Sequence, residues 1–272
     1  MTDVFSVHDG LWYQKRMVGS RIPWFFFLVE KWVYWRARNL QCNSGFTLKN
    51  SLLVETGREV RIVFCSTPLE RNRQLGLDKP LRPIAQGETM VFSVRSIEKR
   101  ARIDLILDVA DRANQRGLHL VFLIAGTGPL FHEYCQQVQE RGLQNVRLLG
   151  YVAERDLARM YAGSDIVLML CEYGEGFGIP AIEGYLFGKP VIASNRCAVP
   201  EVLISSRSLV ENEAEEVLQR LLETAAERPD PEALTAYYEN RFSNKIITAQ
   251  FREMYDSICR TRFRRGYGAD EQ

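Results

Sequence analysis

From Met90 onward, blocks of unbroken apolar residues alternate with stretches in which apolar positions recur every three or four residues. The blocks are MVFSV, LHLVFLIA, NVRLLG, DIVLML and PVIAS. Each is short and apolar throughout, as expected of a strand covered on both faces. Between them, IDLILDVADRANQRG up to Gly117, LFHEYCQQVQERG, Glu154 to Ala162, and the segment ending at Phe187 read as helices. The alternation predicts an α/β fold with a parallel sheet covered on both faces.

Residues 1–85 follow a different pattern. VFSVHD reads as a strand end, NLQCNS and VRIVFCST as further strands, and two or three strands make a poor sheet by themselves. LERNRQLGLDKPLRPIAQGE, rich in charge, Pro and Gly, is expected to be a linker. The predicted organisation is therefore a partial N-terminal domain with its linker over 1–85, a second domain over 86–260, and a tail over 261–272. The second domain is expected to close with EAEEVLQRLLETAAE, PEALTAYYENRFS and a helix from Lys245 to about Arg260, and the basic tail beyond it to fray.

One stretch, RIPWFFFLVEKWVYWRAR from Arg21 to Arg38, raises the question of a membrane. Its apolar run is interrupted at Glu30 and Lys31 and is too short to span a bilayer. Wound as a helix from Pro23, it places Phe25, Leu28, Val29, Trp32 and Trp35 on one broad, core-like face. Phe27, Lys31, Tyr34 and Arg38 fall opposite. That aromatic and basic stripe suits a lipid surface or a lipid-linked acceptor, the plainer reading being a buried helix with a few solvated aromatics.

Composition narrows the class. The 272 residues are 46% apolar and 25% charged with a formal net charge of +1, which gives no global attraction to nucleic acid. Six scattered cysteines, mostly in apolar runs, read as reduced core thiols of a cytoplasmic protein and lack zinc-type spacing. MTDVFSVHDG has neither the basic start nor the apolar stretch of a secretory signal. The expected location is cytoplasmic, with peripheral contact at the inner face of a membrane.

Candidate chemistry gathers where strands of a parallel sheet end, the place where such sheets bind ligands. Arg95 follows MVFSV, with Arg100 close behind. Gly126 and Gly128 follow LHLVFLIA, Tyr151 and Val152 follow NVRLLG, and GEGFGIPAIE follows DIVLML. Pro180 suits the first turn of a helix, whose open N-terminus seats an anion. Arg95 with a second cation can neutralise a diphosphate, and Glu183 can accept two hydrogen bonds from a vicinal diol such as a ribose. A nucleotide diphosphate satisfies all of these groups together. The plainer reading makes Glu183 a complement to the helix dipole and the glycines simple turns. No Asp-x-Asp pair is present, so neither a metal nor a cofactor is expected beside the donor. The turn GTGP does not complete a dinucleotide fingerprint, which disfavours an NAD-linked enzyme. Glu175 and Glu183 come from one short segment, which disfavours a glycosidase pair flanking a bond.

VFSVR, AGTGP, LGYV, EGFGIPAIE and GKPVIAS, followed by VPEV, resemble the motifs of the retaining glycosyltransferases of family 4, which have the GT-B fold. The resemblance covers roughly residues 88 to 205. VHD at Val7 to Asp9 and CNSGFT at Cys42 to Thr47 are similar to late parts of the family's N-terminal domain. The resemblance implies a complete C-terminal Rossmann-like domain, a partial N-terminal one, and transfer of a sugar from UDP or GDP to a hydroxyl acceptor in glycan or polysaccharide synthesis. Glu183 would hold the ribose and Glu175 would sit by the transferred sugar. Gly176, Phe177, Gly178 and Ile179 would offer amides to sugar and diphosphate, Arg95 and Arg100 would bind the diphosphate beside the Gly126 and Gly128 turn, and Tyr151 and Val152 would border the base. His8 would act from the other domain near the acceptor, a glycan or a lipid-linked one. The pattern departs at Val94, where the family has glycine, and at Arg100 or Ala101, where it has lysine. The family's first strands and acceptor loop have no counterpart, so the expectation includes a shortened reading of a longer gene, a partner chain completing that domain, or a non-catalytic donor-binding module.

Overall fold

The computed structural model describes residues 4–8 and 23–267. The described residues form two compact units, one from those up to 66 with those from 241 on, and the other from 67–240.

In the first unit, β1 (Val4–Val7), β2 (Asn39–Cys42) and β3 (Val60–Ile62) form a parallel sheet in that order. Val7 lies opposite Cys42, and Cys42 opposite Ile62. Helix α1 (Pro23–Arg36) precedes β2, and the short α2 (Gly45–Asn50) follows it, capped by Ser44, whose Oγ accepts the Thr47 amide at 3.0 Å. Val7, Tyr34, Leu40, Cys42, Leu52 and Leu53 make one core, and Val63 packs with Ile247, Met254 and Ile258 of the C-terminal helix, Asn244–Tyr267. That helix continues through part of the expected tail and belongs to the first unit, not the second.

The faces of α1 are the reverse of the expected ones. Tyr34 is buried at 3% exposure and Phe27 packs against the first core, while Trp24, Phe25, Leu28, Val29, Trp32 and Trp35 are exposed, Trp35 at 74%. A helix apolar on both sides gives periodicity nothing to choose by; the acid decides. Glu30 is buried, accepting from Tyr34 Oη at 2.7 Å and from the Leu52 amide at 3.4 Å. A buried carboxylate needs such donors, and the Phe27–Tyr34 side supplies them. The lipid-facing stripe read from the sequence is therefore not one, although Lys31 and Arg38 are exposed.

The second unit begins at Thr67, two residues before the expected linker, and takes that segment into its fold. Pro68–Asn72 forms a tight turn of helix leading into α3 (Arg73–Asp78). Leu69 is buried, Tyr238 Oη donates to Glu70 Oε2 at 2.8 Å, and Gly76 packs so closely that a Cβ there would meet the Ala158 carbonyl oxygen at 2.7 Å. Alternation then follows as β4 (Thr89–Val94), α4 (Ile103–Gln115), β5 (Leu120–Ala125), α5 (Phe131–Glu140), β6 (Val146–Gly150), α6 (Glu154–Gly163), β7 (Ile166–Met169), α7 (Ile179–Leu186) and β8 (Val191–Ser194). The short α8 (Val199–Val202) and β9 (Leu209–Val210) follow, then α9 (Ala214–Glu227) and α10 (Pro231–Arg241). β9 is a sixth strand that the apolar pattern did not reveal.

The sheet is parallel throughout, in the order β6-β5-β4-β7-β8-β9. The chain winds outward from β4 to β6, then returns to lay β7 on the other side of β4. The topological switch point therefore lies between β4 and β7, and a crevice opens beyond their carboxyl ends. Arg95 follows β4 directly, and the loop carrying Glu175 follows β7.

Candidate active site at the β4–β7 switch point

Two loops build the centre of the site. Arg95 is held at the end of β4, its amide donating to the Ala125 carbonyl at 2.9 Å, and two residues later the Ile97 amide donates to Thr127 O at 2.9 Å. The β4 loop thus runs on beside the GTGP turn. Gly126 makes this possible: at φ 134° it occupies a region side chains avoid, and a Cβ would come within 1.7 Å of the Arg95 carbonyl oxygen. Gly128 is packed against Ile97, whose carbonyl oxygen a Cβ there would meet at 2.4 Å. Both expected donor-site glycines thus support the backbone carrying Arg95 and the residues just after it.

The Arg95 guanidinium is buried and donates from Nη1 to Glu175 Oε2 at 2.9 Å. Arg100 approaches the same oxygen at 3.9 Å and donates to the Gly174 carbonyl at 3.1 Å. One carboxylate therefore sits between two guanidinium groups in a low-dielectric corner, where charge pairing is strong. Arg95 Nε is buried without a hydrogen-bond partner. A desolvated guanidinium N–H of this kind is costly unless something accepts from it.

Glu183 lies one turn into α7, whose N-terminus is set by Gly178 at φ 106° with Pro180 in the first turn. It is only 6% exposed. Oε1 accepts from Thr67 Oγ1 and Oε2 from Tyr161 Oη, each at 2.7 Å. Burial pushes the Glu183 carboxyl up to about 7, against the pull of those two hydroxyl donors. Tyr161 is in the core between Phe92, edge-on at 5.1 Å, and Phe187, stacked at 5.8 Å. Its hydroxyl is held protonated by burial and by Glu183, with Arg95 close enough to oppose the shift. Arg95 at the end of β4 and Glu183 near the start of α7 both lie at the carboxyl rim of the sheet. Each Glu183 oxygen keeps a second lone pair after these contacts.

Phe177 is buried under the loop, and Gly176, Gly178 and Ile179 lead into α7. Tyr151, 80% exposed, and Val152 follow β6, joined to the site through the Gly126 amide, which donates to Gly150 O at 2.8 Å. His8 is in the first unit, exposed, with Nε2 3.3 Å from Ser6 Oγ and its carbonyl accepting from Thr47 Oγ1. Thr67 and Tyr161 are the residues sequence reasoning missed. Tyr161 reads as a core aromatic, and nothing in the sequence marks Thr67. The cysteines were expected to be core thiols, but only Cys42 and Cys171 are buried and Cys259 is exposed. Among the described residues no cluster of metal-ligating side chains forms and no helix is long and apolar enough to cross a membrane.

Comparison with known proteins agrees with this architecture. HepE from Anabaena, in complex with UDP and glucose, superposes over 93% of this chain and 71% of its own with a TM-score of 0.72 at 17% identity. O-antigen chain mannosyltransferase B of Escherichia coli is 41% identical over 69 residues, 25% of this chain and 18% of that protein. An uncharacterized 41.2 kDa protein in the cps region of Klebsiella pneumoniae is 25% identical over 147 residues, 53% of this chain. The chain spans only 39% of the length of that relative. The family model described as glycosyl transferases group 1 matches residues 78–241, more than half the chain and nearly all of the second unit. With a parallel-sheet α/β architecture of the GT-B type, the chain belongs to the group 1 glycosyl transferases.

Proposed function

We propose that the second unit binds a nucleotide-diphosphate sugar at the β4–β7 switch point, and that the protein transfers the sugar with retention to a hydroxyl acceptor in polysaccharide synthesis. The observation that carries this reading is the pairing of Arg95 and Arg100 around Glu175 at the open end of α7, with Arg95 Nε left without an acceptor. A diphosphate supplies the acceptor and a second anion for the cations. HepE is in complex with UDP, and the Escherichia coli relative is named a mannosyltransferase, so uridine and guanosine donors are both candidates.

In this reading Arg95, Arg100 and the amides from Gly176 to Ile179 stabilise the charge that develops on the leaving diphosphate. Fixed donors do this without reorganising during the reaction. Glu175, beside them, faces the transferred sugar. Glu183 receives the ribose hydroxyls on its remaining lone pairs, and Tyr151 and Val152 border the base. The chemistry is positioning and preorganised charge and needs no side-chain nucleophile. The role of His8 rests on the family resemblance, and turnover of His8→Ala tests it.

Calorimetric titration with UDP, GDP and their sugars tests the reading. Saturable binding of one nucleotide, weakened in Arg95→Ala, is the expected result; a folded protein that binds neither would end it. Binding without transfer or donor hydrolysis would instead assign a donor-binding module that works with another chain.

On the same reading, the exposed aromatic face of α1 rests on an anionic lipid surface, which would bring the protein to a lipid-linked acceptor. Trp24, Trp32 and Trp35 project there, Lys31 and Arg36 are exposed, and the helix's single acid, Glu30, is turned inward.

A further inference from the structure

The ends of β7 and β8 carry two cysteines that the transfer chemistry leaves unused. The two strands run parallel with Met169 opposite Ala193. Cys171 and Cys197 therefore leave the sheet at its carboxyl edge on neighbouring connections.

The backbone fixes both. The Cys171 amide donates to Ser194 Oγ at 3.0 Å, and its carbonyl accepts from Asn212 Nδ2 at 2.9 Å. Ser194 Oγ in turn donates to Asn212 Oδ1 at 2.6 Å, closing a small network around the residue. Cys197 adopts φ 55°, a left-handed conformation unfavourable for a residue with a Cβ. The turn is held there because the next amide, Ala198, donates to the Glu175 carbonyl at 3.1 Å. Backbone held in a sparse conformation next to a site is a reason to look for function.

With both chains pinned, the buried Cys171 thiol donates to the half-buried Cys197 sulfur. The Glu175 and Gly174 amides donate to Cys197 as well. The Cys171 hydrogen bond first, and then these amides, hold the Cys197 thiol below its ordinary range despite burial, whereas Cys171 is pushed up. A readily ionised thiol with a protonated partner against it has the layout of a nucleophilic and a resolving cysteine. The Cys197 sulfur is also where the Glu175 turn is anchored: Gly174 O meets Arg100, Glu175 Oε2 meets Arg95, and both amides meet the sulfur.

We propose that Cys171 and Cys197 form a reversible dithiol–disulfide pair whose oxidation resets the Glu175 loop and weakens donor binding. The oxidant class is a hydroperoxide, with hydrogen peroxide as the simplest member. The Cys197 thiolate attacks one peroxide oxygen, the O–O bond breaks, and the departing hydroxide takes a proton to leave as water. The Cys171 sulfur then gives up its proton and attacks the sulfenic sulfur, forming the S–S bond and expelling the hydroxyl as a second water. Two thiols and one peroxide thus become one disulfide and two waters. A disulfide sulfur no longer offers the anionic acceptor that the Gly174 and Glu175 amides meet, so the loop loses its anchor. For its effect on binding the proposal rests on the donor-site reading; for the cross-link itself it does not.

The full chain is treated with a small excess of hydrogen peroxide, alkylated, and digested without reductant. Mass spectrometry should find a Cys171–Cys197 cross-linked peptide that dithiothreitol removes, with the exposed Cys259 still alkylated. Hydrogen exchange across residues 172–178 should change on oxidation and return on reduction. The affinity for whichever of UDP and GDP the reduced protein binds should fall roughly tenfold, the usual scale of coupling between a local switch and a site. In Cys171→Ala, Cys197 should be trapped by a sulfenic-acid reagent and peroxide should leave loop exchange reversible only until over-oxidation. Oxidation of Cys259 with no cross-link overturns the pair. A cross-link with unchanged loop exchange overturns the control. If the reduced protein binds no nucleotide, the donor reading fails while the cross-link and the loop exchange still decide this one.

Discussion

Thr67 and Glu183 are 116 positions apart and share a buried hydrogen bond of 2.7 Å. Thr67 opens the second unit and Glu183 lies within the GEGFGIPAIE segment, so the first residue of the unit supports its most buried acid. Glu183 illustrates the conflict this creates. Its two hydroxyl donors favour the carboxylate, burial favours the acid, and burial wins.

The first prediction follows from that balance. The carboxyl is raised from its ordinary 4.5 to about 7, so the folded state holds a proton that the unfolded chain releases. The associated stabilisation is complete below about pH 4.5 and is lost as pH rises through about 7. Glu183→Gln keeps the shape, stays neutral, and can be served by the same two hydroxyls. The difference in unfolding free energy between variant and wild type should be small near pH 4.5, grow through pH 6 and level off above pH 8, at up to about 3 kcal/mol in favour of the variant. A flat difference across that range would show that Glu183 is ionised throughout.

A second prediction separates binding from turnover. Glu175 occupies Arg95 in the free protein, so it competes with an incoming diphosphate for the guanidinium. Arg95→Ala should weaken nucleotide affinity by about 2 kcal/mol, or thirtyfold. Glu175→Gln should retain or improve affinity by calorimetry while transfer to acceptor falls. Equal losses of binding in the two variants would deny the competition.

A third concerns the glycine beneath Arg95. Gly126 and Gly117 both have positive φ, but a Cβ at Gly117 meets nothing within 4 Å, whereas at Gly126 it would overlap the Arg95 carbonyl. Gly117→Ala should cost about 1 to 2 kcal/mol from the backbone alone. Gly126→Ala should cost on the order of 3 kcal/mol or more and should also weaken nucleotide binding, because Arg95 must move. Denaturant titration of the two variants provides the comparison.

How much of this was legible in the sequence follows the same physics. Strands β4 to β8 were readable because burial on both faces leaves unbroken apolar runs, and their order placed Arg95 and Glu175 on one rim. β9 is two residues long and leaves no such run. The segment after Thr67 looked like a linker because its anchors are single contacts, Leu69, Gly76 and Glu70, scattered among charges. Tyr161 and Thr67 join Glu183 only through tertiary structure. The meeting of Cys171 with Cys197 depends on two loops leaving adjacent strands, and apolar patterning carries no record of it.

The α1 helix gives the last prediction, because its two faces make opposite claims. Trp32 and Trp35 are exposed beside cations, whereas Tyr34 is buried and donates to Glu30. Replacing both tryptophans with Ser should leave the melting temperature nearly unchanged and lower binding to phosphatidylglycerol-containing vesicles about tenfold or more, since each indole removes apolar area from water at the interface. Tyr34→Ser should do the reverse: it strips a donor from a buried carboxylate and opens a cavity, costing about 2 to 4 kcal/mol, without removing any lipid-facing group. Co-sedimentation and thermal melts on both variants separate the two roles. Vesicle binding that is indifferent to the tryptophans would remove the membrane surface from the account and leave that face to a protein partner.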